Sequence, residues 1–330
     1  MFKIIIGIHG LGNKPPQKIL KKWWKRSIFE GLAAIGQPRF FFKFELVYWA
    51  NLLYPQPLSQ KGTGKDDPDY LEEPYVPAKK QAPRSPSKVR KKILDYLEKQ
   101  FDRIFLKEDL SIHFASISDL IIRRFFKDLD VYYSQKSIHV GEKDYLVKDV
   151  IRDQLERVIK KHRKKDILLI GHSMGSIIAY DVLTNSLPEV AIDTFITIGS
   201  PLGLPVIMSK IASEQRKKLV KSVRLKTPEN VTRNWYNCSD LNDKVSFNYS
   251  LADDYDQNSK QVHVIDKIVT NDYEINGHRN PHKIYGYLRT PEFSELIQEF
   301  LDRGKNKKVV WLLDKINHVV RKIYFFEGNK

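Results

Sequence analysis

Asp166–Leu183 reads DILLIGHSMGSIIAYDVL. Its first five residues form a short apolar run of strand length, and SIIAYDVL at its end suits a helix. Between them Gly171-His172-Ser173-Met174-Gly175 spells G-x-S-x-G. The pentapeptide recurs by chance, but a strand before it and a helix after it give it meaning. A sharp strand-to-helix turn strains the serine backbone and pushes the hydroxyl outward. Flanking glycines remove side chains where strand and helix crowd together. The helix that follows points its positive end at a developing oxyanion. Ser173 is therefore the candidate nucleophile.

The flanking sequence repeats the alternation of strand and helix. FKIIIGI (2–8) is an isoleucine-rich run ending in His9-Gly10-Leu11-Gly12, as expected of a parallel strand buried on both faces. Ile19, Leu20, Trp23, Trp24, Ile28 and Leu32 recur at helical spacing over 17–35, and the aromatic stretch 39–49 reads as a second strand. Further on, 143–163 and 174–186 read as helices and 193–198, 232–237 and 261–269 as strands. Pro291 opens a last core helix over 291–303 at a first helical position. This order predicts an α/β fold with a mostly parallel central sheet flanked by helices.

The core is expected in 1–50 and 141–304. Prolines crowd between Pro55 and Pro86, and 87–133 shows amphipathic helical faces (Leu94, Leu97, Phe101; Leu120, Ile121, Phe125). Residues 51–140 thus read as a proline-rich and helical insertion, placed as a cap over a site would be. Residues 305–330 hold a basic amphipathic helix with Val309, Leu312, Leu313, Ile316, Val320 and Ile323 on one face. It is expected to dock on the domain or to lie on an anionic membrane.

At 330 residues with 42% hydrophobic content, the chain has material for a full core. A net charge of +16 attracts polyanions without choosing among them. No recognition signature converts that charge into nucleic-acid binding, so none is expected. The single cysteine, Cys238, excludes an intrachain disulfide. No apolar run approaches a membrane span, and the N-terminal run is short for a signal peptide. The expectation is a cytoplasmic protein. No H-E-x-x-H or paired-cysteine spacing calls for a metal, and no cofactor is expected.

An acyl-transfer site also needs backbone donors for its oxyanion. Met174 N–H follows the nucleophile directly, and Leu11 N–H lies in the glycine-rich loop after the first strand. A carboxylate and a histidine must then follow Ser173 in the chain. Asp240 and Asp243 both qualify after the 232–237 strand, with Asp243 favoured by its place in Asp243-Lys244-Val245. His278 and His282 both precede the closing helix. His263, within a strand, and His318, in the terminal helix, read as structural.

Together HGLG (9–12), YWA (48–50), GHSMG (171–175), GSPLG (199–203), DKV (243–245) and NPHKIYGYLR (280–289) resemble the α/β-hydrolase superfamily on its lipase and esterase side. They occur in the family's order along nearly the whole chain, and the sequence is similar to uncharacterised bacterial hydrolases with lipase-like cores. The resemblance implies Asp243 as the acid and His282 as the base, leaving Asp240 and His278 as fallbacks. It implies hydrolysis of a carboxylic ester, or of an acyl-lipid at an anionic membrane surface, through an acyl-enzyme. Thioester or amide hydrolysis or acyl transfer on the same residues is the alternative, and a non-catalytic binding module is the rival of another class. The 51–140 insertion matches no motif of the family.

Overall fold

The computed structural model describes residues 2–61, 64–78, 88, 90–92, 94–95, 127–134, 136–140, 143–187, 189–216, 224–246 and 248–305. Six parallel strands form the central sheet: β1 (Lys3–Ile8), β2 (Phe44–Val47), β3 (Asp166–His172), β4 (Ile192–Ile198), β5 (Val231–Asp240) and β6 (Val264–Val269). Their spatial order is β6-β5-β4-β3-β1-β2. The chain runs from β1 outward to β2, then crosses back to β3 and proceeds the other way. Such a reversal leaves a crevice at the carboxyl ends of the two central strands, where ligands bind in open α/β sheets. Ile8 is in register with Gly171, so the loop after β1 and the turn after β3 emerge side by side.

Alternation along the strands feeds two cores. Ile4, Ile6 and Ile8 join Ile167 and Leu169 beneath helices α1 (Val147–Lys161) and α2 (Met174–Asn185). Ile5 joins Leu168, Ile170, Ile196 and Ile198 beneath Gln17–Ala34 and Pro291–Asp302 on the opposite face. Both faces of each central strand are thus buried, which is why these strands read as continuous apolar runs. Gly7 shows how tightly the layers meet: a Cβ there would lie 2.7 Å from the Trp24 ring.

Several boundaries differ from the sequence expectation. The aromatic stretch 39–49 contributes only Phe44–Val47 as strand, because β2 is an edge and pairs only with Ile5–Ile8. Residues 143–146 form a hairpin with Ser137–Val140 rather than opening the helix. The buried positions Val147, Ile151, Leu155 and Ile159 start the helical period only at Val147. β5 extends through Asp240, which pairs in register with Val269 of β6. At the start of the expected insertion a 3-10 turn spans Ala50–Leu52, and near its end a helix spans Lys127–Tyr133. The apolar faces expected from Leu97 to Phe125 and over 306–326 lie outside the described residues. Among the described residues, no helix is long and apolar enough to cross a membrane.

Candidate functional site

Ser173 stands between β3 and α2 with φ 53° and ψ −129°. Left-handed φ is costly for a residue with a Cβ and persists only where its surroundings enforce it. Here Ser173 N–H donates to Ile198 O at 3.0 Å, which ties the turn to β4. The glycines do what the crowding requires. A Cβ on Gly171 would meet Ser176 Cα at 2.6 Å, and one on Gly175 would meet Ile8 O at 2.5 Å. Ser173 is buried, and its hydroxyl has no hydrogen-bond partner among the described residues. Met174 is the first residue of α2, so its N–H has no acceptor within the helix.

The loop after β1 closes on the serine. A Cβ on Gly10 would fall 2.6 Å from Ser173 Cβ, so only glycine permits this approach. His9 braces the loop from beneath. Its Nε2 accepts Trp49 N–H at 3.1 Å and Ala50 N–H at 3.3 Å, which leaves Nδ1 to donate to Gly10 O at 2.9 Å. Burial pushes its pKa down to about 3, with Lys14 adding repulsion, so the ring is neutral. Leu11 lies in this loop, directly after Gly10.

Asp243 and His282 meet beside the turn. His282 Nδ1 is 2.8 Å from Asp243 Oδ2, and the same oxygen accepts the Tyr287 hydroxyl at 2.7 Å. Asp243 Oδ1 accepts Val245 N–H at 2.9 Å. Burial pushes the Asp243 carboxyl up, but His282, Tyr287 and Val245 outweigh it and hold it below the usual carboxylate range. With Nδ1 facing the carboxylate, Nε2 of His282 has no hydrogen-bond partner among the described residues. Gly199, at φ +51°, faces this pair: a Cβ there would lie 2.8 Å from Asp243 Oδ2 and 3.2 Å from His282 Nδ1.

Asp240 and His278 sit elsewhere. Asp240 Oδ2 accepts Asn271 N–H and Arg279 Nη2, each at 2.8 Å, and its Oδ1 accepts Asn242 N–H at 2.8 Å. It therefore staples the loop leading to His282. His278 is exposed on a small hairpin with Glu274–Ile275.

Other residues of the site were not singled out from the sequence. His172 lies against the His282 ring, with centroids 4.9 Å apart, and its Nε2 is 3.0 Å from His282 O. Burial, with His282 beside it, keeps its pKa well below the ordinary value, so it is a neutral donor. Tyr287 and Asn271 orient the two loops. Asn271 Nδ2 reaches Pro281 O and Lys283 O, at 2.8 and 2.7 Å, on either side of His282. Tyr287 fell within the tyrosine-rich stretch after His282, which was the available signal; Asn271 had none.

The chain matches the PGAP1-like alpha/beta domain family over residues 124–323, more than half its length. The matched region includes Ser173, Asp243 and His282 and starts after the His9–Gly12 loop. No curated protein matches the chain. With its six-stranded parallel sheet flanked by helices, the chain belongs to the PGAP1-like alpha/beta domain family, a hydrolase-type α/β family.

Proposed function

We propose that this protein is a serine hydrolase that cleaves a carboxylic ester. The observation that carries the reading is Ser173: a strained, buried serine at the switch point of the sheet, beside a hydrogen-bonded His282–Asp243 pair. Strain at such a turn is retained where function uses it.

In this reading His282 Nε2 takes the Ser173 proton as Oγ bonds to the ester carbonyl carbon. Asp243 holds the tautomer and stabilises the imidazolium that forms. The oxyanion is received by Leu11 and Met174 N–H groups at the end of β1 and the start of α2. The tetrahedral species collapses, the carbon–oxygen bond to the alcohol breaks, and His282 returns the proton to the departing oxygen. Water then attacks the acyl-enzyme with His282 again as base, releasing the acid and restoring Ser173.

The test is labelling with a fluorophosphonate probe, wild type beside Ser173→Ala, followed by p-nitrophenyl esters of increasing chain length. Labelling of the wild type that vanishes in the variant, with ester turnover lost in parallel, is the expected result. A well-folded wild type that takes no label and turns over no ester of the series overturns the proposal. A matched thioester series identifies the preferred leaving group.

A further inference from the structure

Asp128 has no part in the reaction just described, yet it is buried and binds the loop that carries Leu11. Its Oδ2 accepts Gly12 N–H at 2.6 Å and its Oδ1 accepts the Tyr54 hydroxyl at 2.6 Å. Tyr54 follows the turn that opens the 51–140 insertion, and Asp128 lies on the helix near its end. One carboxylate thus gathers two distant parts of the insertion onto the loop after β1. Further ties run alongside. Asn13 Nδ2 donates to Gln56 O at 2.7 Å and Asp69 Oδ1 at 2.8 Å, and Leu58 N–H donates to Lys14 O at 2.9 Å.

Two peptide planes meet at Leu11 Cα, and each is held differently. The Gly10–Leu11 plane is anchored by His9 on Gly10 O. A trans peptide sends its N–H opposite its carbonyl, so this bond aims Leu11 N–H away from His9. The Leu11–Gly12 plane is held at both poles. Lys14 Nζ donates to Leu11 O, and also to Gly12 O at 2.9 Å, while Asp128 takes Gly12 N–H. Gly12 has φ +80°, in a region where glycine rotates without steric cost. Local chain preference therefore does not hold this plane; the contacts do. A carboxylate suits the task because it accepts from both Gly12 and Tyr54 and competes as a donor with neither. Charge-assisted bonds of this kind are about twice as strong as neutral ones.

We infer that Asp128 is a positioning residue: by clamping Gly12 N–H it holds the Leu11–Gly12 plane, so that Leu11 Cα is fixed between this plane and the one His9 anchors, and Leu11 N–H keeps its direction toward the oxyanion. The inference rests on the hydrolase reading above. Its experiment compares wild type, Asp128→Ala, Asp128→Asn and Tyr54→Phe with a p-nitrophenyl ester and with a trifluoromethyl ketone, which forms a tetrahedral oxyanion on an activated serine. For Asp128→Ala, kcat falls about 10- to 100-fold with KM within about 2-fold, and the ketone Ki rises by the same factor as kcat falls. Asp128→Asn recovers most of both, since its amide oxygen still accepts Gly12 N–H and its amino group turns to the Tyr54 oxygen. Tyr54→Phe, which leaves Asp128 with one anchor fewer, loses about 3- to 10-fold in kcat. It carries the test where Asp128→Ala does not fold. Unchanged kcat and ketone affinity in the folded variants, or a rise in KM alone, overturns the inference while leaving the hydrolase reading intact. A wild type that the fluorophosphonate does not label overturns that reading, and the inference with it.

Discussion

His282 and Tyr287 share one oxygen of Asp243: the imidazole Nδ1 lies at 2.8 Å and the phenol at 2.7 Å. The Tyr287 oxygen in turn accepts Asp240 N–H at 2.9 Å, so the last residue of β5 is linked through a phenol to the carboxylate three residues on. Replacing Tyr287 by Phe removes a donor to the Asp243 carboxylate, and the carboxyl pKa rises toward the usual range. The expected outcome is a loss of about 10-fold in kcat/KM at neutral pH, with the acidic limb of the profile moved to higher pH. Asp243→Asn, which removes the charge itself, costs about 10³-fold or more. A pH–rate profile of both variants checks this; a Tyr287→Phe profile that overlays the wild type refutes it.

Gly199 tests the crowding around the same pair. A methyl group there would lie 2.8 Å from Asp243 Oδ2, on a backbone at φ +51°. Gly199→Ala should therefore destabilise by about 1–3 kcal/mol. Its activity should fall further than the change in folded fraction explains, because His282 and Asp243 are displaced together. Urea unfolding beside kcat on the same preparation separates the two effects.

Acid should weaken the fold through His9. Its folded pKa of about 3 lies below the ordinary histidine value of 6.5, so between these values the unfolded chain binds the extra proton. Stability is then fully present above pH 6.5 and is lost as pH falls toward 3. One such group costs about 1.4 kcal/mol per pH unit, or about 2 kcal/mol between pH 6.5 and 5. His172, also shifted downward by burial, acts in the same direction. His9→Gln should be less stable at pH 7 and show a shallower decline toward pH 5. Urea midpoints at pH 7, 6 and 5 read both quantities; parallel slopes for the two proteins count against the assignment.

Away from the site, Gly7→Ala forces a methyl group to within 2.7 Å of the Trp24 ring. Overpacking of this kind costs about 1–3 kcal/mol. Trp24→Leu in the Gly7→Ala background relieves the clash, so the double variant should be more stable than the sum of the single losses. Thermal unfolding of the four proteins closes the cycle, and strict additivity would mean that the two residues do not oppose each other.

Much of what depends on neighbours in the chain was legible from the residues alone, although the hairpin of Ser137–Val140 with 143–146 was not. The turn at Ser173 is local: an apolar run, two glycines and a helix-forming run specify it within Asp166–Leu183. The same holds for β1, whose isoleucines announce a strand buried on both faces, and from such segments the α/β class follows. The register was not legible. Nothing in 39–49 says that only Phe44–Val47 find a partner, because that depends on which residues β1 leaves open at the sheet edge. Nor does the sequence separate Asp240 from Asp243 or His278 from His282 by physics, since loop residues obey no period. Asp243 and His282 are 39 residues apart and meet only because β5, β6 and the loops after them are laid side by side. That packing turns Asp240 toward Arg279 and leaves His278 in solvent. Residues 51–140 were least legible of all. Prolines interrupt any pattern between Pro55 and Pro86, and Asp128 takes hold of Gly12, 116 residues away, through tertiary contact alone. The sequence by itself determined most of the local elements and the turn at Ser173, because hydrophobic period and glycine placement act over a few residues. The tertiary structure alone decided which distant side chains meet, because a single hydrogen bond in a loop leaves no repeating pattern to read.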